Sequence, residues 1–380
     1  MKTKTLIYLV MVLLHTVVLS HAFAQIIPAA PNINATAYML MDSSSGKVLV
    51  EKDIDKSLEP ASLTKMMTTY IVANEIHEGN ISLDDMVLIS EKAWRMEGSR
   101  MFIEVDKEVS VGDLLRGVIV QSGNDASLAL AEYIAGTEDV FAGVMNQYAV
   151  KLGMNNTNFT NSTGLPDRNH YTTARDLSIL ANALIKDHPE IYSWHSIKEF
   201  TFNNIKQPNR NLLLWRDDSV DGIKTGYTQN AGYCLVASAV RDDMRLIAIV
   251  MGTKGVELRT RASQSLFGYG FRFFETHKYY SKLEELTSAK IWKGDVDNFS
   301  LGVDQELWIT IPRGQLKKVK PIIETESIII APVVKHSIQG TVRLMLDDNE
   351  IGKRSVIALE NVNEGGLIDR IKDEVKLFFQ

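Results

Sequence analysis

Apolar and polar positions change texture several times along this chain. Leu6 to Leu19 is a nearly unbroken apolar run behind Lys2 and Lys4. Ala37 to Met41 and Gly46 to Val50 read as two strands of a hairpin, with Asp42-Ser43-Ser44-Ser45-Gly46 supplying turn chemistry. Helical spacing follows over Ser62 to Glu78, Val111 to Val120, Ala126 to Ala135 and Val140 to Leu152, with acids or a Gly-Asp pair near several starts. Gly232 to Val240 and Arg245 to Met251 then predict two adjacent strands joined through Arg241-Asp242-Asp243. Strands at both ends with helices between them predict an α+β domain, an antiparallel sheet flanked by helices.

After about Ser288 the helical patterns stop. Leu307 to Ile311, Ile328 to Val333 and Thr341 to Leu346 are β-rich, and Asp347-Asp348-Asn349-Glu350 marks a hairpin turn before Ile351. A small all-β domain is expected here. From Gly366 to Gln380 the texture changes again: Leu367, Ile368, Ile371, Val375, Phe378 and Phe379 recur near helical spacing, with charges on the other side. This segment is too short to cross a bilayer and fits an interfacial helix. Its bland alternative is a terminal helix docked on the protein's own core.

The expected organisation is therefore residues 1–24 as a secretory signal, 25–287 as the α+β domain, 288–362 as the all-β domain and 363–380 as the amphipathic helix. The signal reading rests on the basic start, the apolar run and a small-x-small cleavage site at Ala22-Phe23-Ala24. Composition narrows the function classes. The chain carries a net charge of −6, and removal of Lys2 and Lys4 makes it more acidic, so nucleic acid is not an expected partner. Its single cysteine, Cys234, rules out an intrachain disulfide, so a chain of 380 residues with 45% hydrophobic content relies on packed cores.

Three short polar motifs carry candidate chemistry: Ser62-Leu63-Thr64-Lys65, Ser122-Gly123-Asn124 and Lys224-Thr225-Gly226. Together they offer a nucleophile, an amine base, a proton-relay pair and an anion-binding strand, the parts of an acyl-transfer enzyme. Ser62 at a helix start is equally the usual place for an N-cap. Lys65 changes the weighing, because three residues on it shares the helical face of Ser62. A lysine of ordinary pKa, near 10.4, is no base at neutral pH; burial and a second cation lower it, and Lys224 is the expected cation. Ser122-Gly123-Asn124 between two helical patterns also reads as a plain turn, and Lys224-Thr225-Gly226 as a turn just before a strand.

The motifs resemble those of the penicillin-binding proteins, specifically the low-molecular-mass D-alanyl-D-alanine carboxypeptidases of the bacterial cell envelope. Val220 to Thr228, Ala231 to Ala239 and Gly270 to Glu275 are similar to that family as well. The resemblance implies a serine carboxypeptidase that removes the terminal D-alanine from peptidoglycan stem pentapeptides, that penicillins acylate, and that needs no metal or organic cofactor. It implies Ser62 as nucleophile, Lys65 as base, Ser122 as proton relay with Lys224, and Asn124 as partner of Lys65 and of the substrate backbone. Thr225, with Lys224, would bind the terminal carboxylate, and Gly226 would let the substrate backbone approach. The main-chain N–H groups of Ser62 and Tyr227 would form an oxyanion hole. Many relatives have histidine where Tyr227 stands, which puts a histidine-based pH dependence in doubt. Arg210 and Arg259 fall where the family has arginines and are candidate carboxylate partners, or plain surface ion pairs. Asn161 to Pro166 reads mainly as structural. The implied location is the periplasm, on the outer face of the inner membrane, held by the C-terminal helix.

Two rivals remain. A serine β-lactamase shares the three-motif layout, and Glu199 to Asn203 has the Glu-x-x-x-Asn spacing of its deacylating loop, though too near Lys224. A non-catalytic envelope protein would keep the fold and bind stem peptides only.

Overall fold

The computed structural model describes residues 27–379. The expected signal at 1–24 lies outside the described residues. Two compact units emerge, residues 30–284 with 305–310, and residues 285–304 with 311–379.

The first unit is built on a five-stranded sheet in the order Val48–Lys52, Ala37–Asp42, Met244–Thr253, Gly232–Arg241, Val220–Thr228, with every neighbour antiparallel. Its central strand, Met244–Thr253, is buried from Leu246 through Met251, which explains its continuous apolar run rather than strict alternation. One sheet face packs with Phe141, Met145, Leu177, Leu184 and Phe159 around Met66, Met67 and Ile71. A second cluster gathers Leu114, Val118, Leu128 and Leu130 around Val72 and Ala73.

The helix Lys65–His77 runs between these two clusters and is buried at every residue from Lys65 to Ala73. A helix apolar on all sides belongs in a core, and this one therefore has a fixed axis and a dry N-terminus. That placement sets the chemistry of the site. The expected helix from Ser62 begins instead as a 3-10 turn, Ala61–Thr64, before the α-helix starts at Lys65. Val111–Val120 divides into an α-helix, Val111–Arg116, and a π turn, Gly117–Gln121. Two long helices escaped the sequence reading, Ala174–Asp187 and Val256–Phe273, as did the short ones Glu91–Trp94, Pro189–Tyr192 and Leu213–Arg216. Thr173 caps the first of these by accepting from Asp176 N.

The second unit is a six-stranded sheet in the order Val319–Thr325, Ile338–Leu346, Asn349–Ala358, Asn298–Val303, Glu285–Trp292, Ile329–Ile330. Phe299, Leu301, Val342, Leu344 and Val356 are buried in it. The expected strand over Ile328 to Val333 shrinks to Ile329–Ile330, since Pro332 and the bridge of Val333 to Val362 redirect the chain. The terminal helix, Leu367–Phe378, attaches by its charged side: Asp373 accepts from Lys293 N at 2.8 Å and Glu374 pairs with the Lys293 amine. Its apolar residues point outward, from 54% exposure at Val375 to 85% at Phe378. Docking of the apolar side on the protein's own core is thereby excluded among the described residues.

Candidate active site

Ser62 sits in the turn whose first residue, Ala61, has a left-handed φ of 49°. Behind it Lys65 is fully buried, and its Nζ reaches Ser62 Oγ at 3.2 Å, Asn124 Oδ1 at 2.7 Å and Thr163 O at 2.6 Å. The Asn124 amide is oriented by its Nδ2, which donates to Glu97 O at 2.6 Å, so its oxygen faces the lysine. Two obligate acceptors thus use two of the amine's hydrogens. A neutral Lys65 has only its lone pair left for Ser62, whose O–H then donates to it. The geometry is a serine–lysine pair set for proton removal from the hydroxyl.

Electrostatics agree with that arrangement. Burial, followed by the charge of Arg210, pushes Lys65 down to about 7, against upward pulls from Asp125 and Glu138. Lys224 is likewise held well below the usual lysine range by burial, then by Lys65, Arg210 and Arg259. Arg210 is the leading charge on Lys65, and Lys65 and Lys224 also disfavour each other's charged form, the coupling the sequence pointed to. Lys224 donates to Ser122 Oγ at 2.9 Å and to Thr225 O at 3.1 Å.

Ser122 ends the π turn in the left-handed region, φ 66° and ψ 37°. A serine there is strained by about 1–2 kcal/mol, and the surroundings hold it: Gly123 N donates to Gly117 O at 3.0 Å and Asn124 N to Ser99 O at 2.7 Å. Asp125, buried and absent from the sequence reading, accepts from Met101 N and Phe102 N, both at 2.9 Å, and ties the neighbouring loop to the motif.

Lys224, Thr225 and Gly226 lie inside the edge strand Val220–Thr228, not ahead of it as the sequence suggested. The strand's pairing with Gly232–Arg241 makes Lys224, Thr225 and Gly226 rigid. A Cβ on Gly226 would stand 3.1 Å from Pro60 O, so glycine lets the strand lie against the Ser62 turn. Arg259, buried and lowered to about 10 chiefly by burial, donates to Gly226 O at 3.1 Å and Cys234 O at 3.2 Å. Tyr227 is 54% exposed and packs against Tyr233 in a tilted pair, ring centres 4.3 Å apart and planes 31° from parallel.

A cleft of about 630 Å³ joins these residues. Eight of the ten candidates line it: Ser62, Ser122, Asn124, Thr225, Gly226, Tyr227, Arg210 and Arg259. Lys65 and Lys224 lie just beneath, reaching it through Ser62 and Ser122. The structure therefore brings every candidate to one place. Glu199, by contrast, belongs to an outlying hairpin, Glu199–Phe202 with Ile205–Pro208, and pairs with Lys206 at 2.7 Å. It does not line the cleft.

The loop at Asn161 to Pro166, expected to be structural, also supplies the site. Thr163 O accepts from Lys65, and Ser162 O accepts from Thr68 Oγ1 and Ser127 Oγ, each at 2.8 Å, pinning the loop between two helices. Gly164 has φ +85°, and a Cβ there would fall 1.8 Å from Ala61 O. Gly164→Ala is accordingly expected to cost about 3 kcal/mol or more and to displace Ser62. Urea unfolding would report the loss, and intact mass would report slowed acylation by benzylpenicillin; wild-type values for both would refute the steric account.

Two buried histidines brace the same region. His170 accepts from Thr160 N at Nδ1 and so donates from Nε2 to Thr64 Oγ1 at 2.8 Å. His195 donates from Nδ1 to Ile223 O at 3.0 Å, beside Lys224. Burial lowers each to about 4. The unfolded chain, with histidines near 6.5, binds more protons between pH 4 and 6.5, so folding stability is full above about 6.5 and falls as pH drops toward 4. Each histidine contributes on the order of 3 kcal/mol to that fall. Urea titrations at pH 4.5 and 7 should show it, and His195→Gln should flatten part of the slope; a stability independent of pH would contradict it.

A serine nucleophile, a buried lysine base and a second serine–lysine pair facing one cleft define a serine acyl-transfer enzyme on an α+β scaffold. Residues 24–255 match the family model described as D-alanyl-D-alanine carboxypeptidase, peptidase S11, and residues 274–364 match the C-terminal domain of penicillin-binding protein 5. The chain belongs to the D-alanyl-D-alanine carboxypeptidase family. It is 46% identical over 358 residues to D-alanyl-D-alanine carboxypeptidase DacC of Escherichia coli (strain K12), covering 92% of this chain and 90% of that one. Among solved structures, penicillin-binding protein 5 from Haemophilus influenzae is 43% identical with a TM-score of 0.86, over 89% of this chain and all of the other. Penicillin-binding protein D2 from Listeria monocytogenes in its ampicillin-bound form is 31% identical with a TM-score of 0.59, over 64% of this chain and 100% of that one.

Proposed function

We infer that the protein is a serine D-alanyl-D-alanine carboxypeptidase that trims the terminal D-alanine from peptidoglycan stem pentapeptides through an acyl-enzyme. The observation that carries the mechanism is the Lys65 amine, committed to Asn124 and Thr163 and left with one lone pair toward Ser62. Lys65 takes the Ser62 proton as Oγ attacks the carbonyl of the penultimate D-alanine. The N–H groups of Ser62 and Tyr227 receive the oxyanion. Ser122, fed by Lys224, gives a proton to the departing amine, and the carbon–nitrogen bond breaks. Thr225 and the cations around it, Lys224, Arg210 and Arg259, hold the carboxylate of the leaving D-alanine. Lys65 then returns its proton to the Lys224–Ser122 pair, takes one from the water that attacks the ester, and passes it to Ser62 Oγ as the acyl carbon–oxygen bond breaks. Penicillins enter the same path because their strained amide imitates the scissile peptide, in keeping with the ampicillin-bound relative.

The test is intact mass after mixing with benzylpenicillin, with D-alanine release from a stem pentapeptide measured alongside. A lasting adduct on Ser62 together with release supports the reading. Rapid drug turnover without an adduct would point to a β-lactamase, and inertness toward both would point to a binding protein.

We further propose that the protein is exported and rests on the outer face of the inner membrane through its terminal helix. Supporting this is an apolar face turned outward while the charged side holds the domain. No helix among the described residues is long and apolar enough to cross a membrane. Full burial of the six apolar side chains, at roughly 1.5–3 kcal/mol each, would favour binding by about 9–18 kcal/mol before the entropic cost of attachment. Asp369, Arg370, Lys372, Asp373, Glu374 and Lys376 balance in sign, so attachment should vary little with salt. Vesicle flotation at low and high salt checks this, and Phe378→Ser with Phe379→Ser should release the protein. Strong loss of binding in salt would defeat the hydrophobic account.

A further inference from the structure

Two segments far apart in sequence meet at the cleft, the Ser62 turn and the edge strand Val220–Thr228. Within the sheet the strand pairs on one side only, with Gly232–Arg241. Gly226 lies close against the turn, where a Cβ on it would stand 3.1 Å from Pro60 O and 3.3 Å from the Ala61 side chain. Packing of that kind limits how near the two segments come and resists their separation only weakly. Glu59 supplies the resistance. Its Oε2 accepts from Thr228 Oγ1 at 3.1 Å and its Oε1 from Asn230 Nδ2 at 3.0 Å, the first bond partly shielded from solvent and the second exposed. The Thr228 hydroxyl also accepts from Ala231 N at 3.0 Å, and its one proton is spent on Glu59. Glu59 is in turn coupled stiffly to the nucleophile. Leu58 exchanges two backbone hydrogen bonds with Thr172, each 2.9 Å, and Leu63 N donates to Pro60 O at 3.1 Å. Between them Pro60 has a ring-locked φ of −72°, so a shift of the Glu59 backbone is a shift of Ser62.

We propose that Glu59 is a positioning residue for acyl transfer, tying the Lys224-Thr225-Gly226 strand to the Ser62 turn so that the gap between them keeps its width as charge develops on the substrate carbonyl. The assignment rests on the carboxypeptidase reading, in which the N–H groups of Ser62 and Tyr227 receive the oxyanion from these two segments. Glu59 stands three residues before one donor and binds the residue that follows the other. It does not line the cleft, so it acts through the segments it joins. Loss of the tie lets the donors drift from the oxygen. The cost falls on the transition state, where that oxygen carries charge, more than on the bound substrate.

The test follows benzylpenicillin acylation by intact mass, D-alanine release from a peptide ending in D-Ala-D-Ala, and the infrared stretch of the acyl-enzyme ester carbonyl. Competent protein is counted as the fraction that finally takes up the drug, so every rate refers to folded enzyme. Glu59→Ala should lower the acylation rate constant and kcat about tenfold, part of the 10²- to 10³-fold lost when one oxyanion donor is removed outright, with KM within about twofold of wild type. The ester stretch should move to higher frequency, as it does when a carbonyl is less polarised by hydrogen bonds. Glu59→Gln keeps an oxygen for Thr228 and should recover the rates to within about threefold of wild type. Thr228→Val removes the same tie from the other side, and combined with Glu59→Ala it should be no slower than the worse single variant. Where Glu59→Ala does not fold, Thr228→Val is held to the same readings. Wild-type rate constants and an unmoved ester stretch in the variants overturn the positioning role, even if their stability in urea is lower. Losses that multiply in the double variant overturn it as well. Failure of the wild type to form an adduct and to release D-alanine overturns the carboxypeptidase reading and the positioning role with it.

Discussion

Ser62→Ala should abolish both the benzylpenicillin adduct and D-alanine release, lowering turnover by roughly six orders of magnitude, the scale on which a serine acyl-transfer centre loses its nucleophile. The fold should survive. Only one hydroxyl is removed, and Lys65 keeps Asn124 Oδ1 and Thr163 O as partners, so the stability change should stay within about 1 kcal/mol. Intact mass, a D-alanine assay and urea unfolding on one preparation separate the effects. Persisting release with a normal unfolding curve would move the nucleophile elsewhere. Lys65→Met sharpens the point by keeping Ser62 and removing the base. Acylation should fall by about 10³- to 10⁴-fold, and the fold should suffer too, because two buried acceptors lose their donor.

The rate constant for acylation by benzylpenicillin should rise with unit slope up to about pH 7 and then level, tracing the conversion of Lys65 to its neutral amine. A lysine of ordinary pKa would be neutral in roughly one molecule in 2,500 at pH 7; lowering it to about 7 makes half the molecules competent, a gain of about a thousandfold. At pH 5 the rate should be roughly 50-fold below its value at pH 7. Arg210→Gln removes the cation that, after burial, disfavours the ammonium form, so the limb should move to higher pH. The midpoint is the decisive readout, since it is insensitive to any weaker ligand binding. A profile flat from pH 5 to 9 would exclude Lys65 as base, and an unmoved midpoint in Arg210→Gln would remove Arg210 as a cause.

The sequence was most informative where chemistry depends on residue type at short range. Ser62 and Lys65 are three residues apart, and even with a 3-10 turn intervening their side chains meet. The amphipathic end of the chain was equally legible, because a period of 3.6 with charges opposite is visible in fifteen residues. The helices at Ala174–Asp187 and Val256–Phe273 were missed. Buried polar residues, Ser178 in the first and Arg259, Thr260 and Ser263 in the second, interrupt their apolar faces, so periodicity alone was a poor guide. Roles played by main-chain atoms were invisible. Thr163 contributes a carbonyl, and any residue has one, so nothing in its letter marked it as a partner of Lys65.

By itself, then, the sequence determined the α+β scaffold, the β-rich unit after it, the amphipathic end and the three groups of side chains that carry the reaction. These follow from local periodicity and functional-group chemistry, which the chain displays without folding. Only the tertiary structure decided that Lys65 lies in a dry helix N-terminus, that Arg210 joins Lys224 as a cation near it, and that Lys224 answers to Ser122 across 102 residues of chain. Desolvation and charge coupling depend on distances in space, and two residues far apart in sequence acquire a distance only when the core between them has packed.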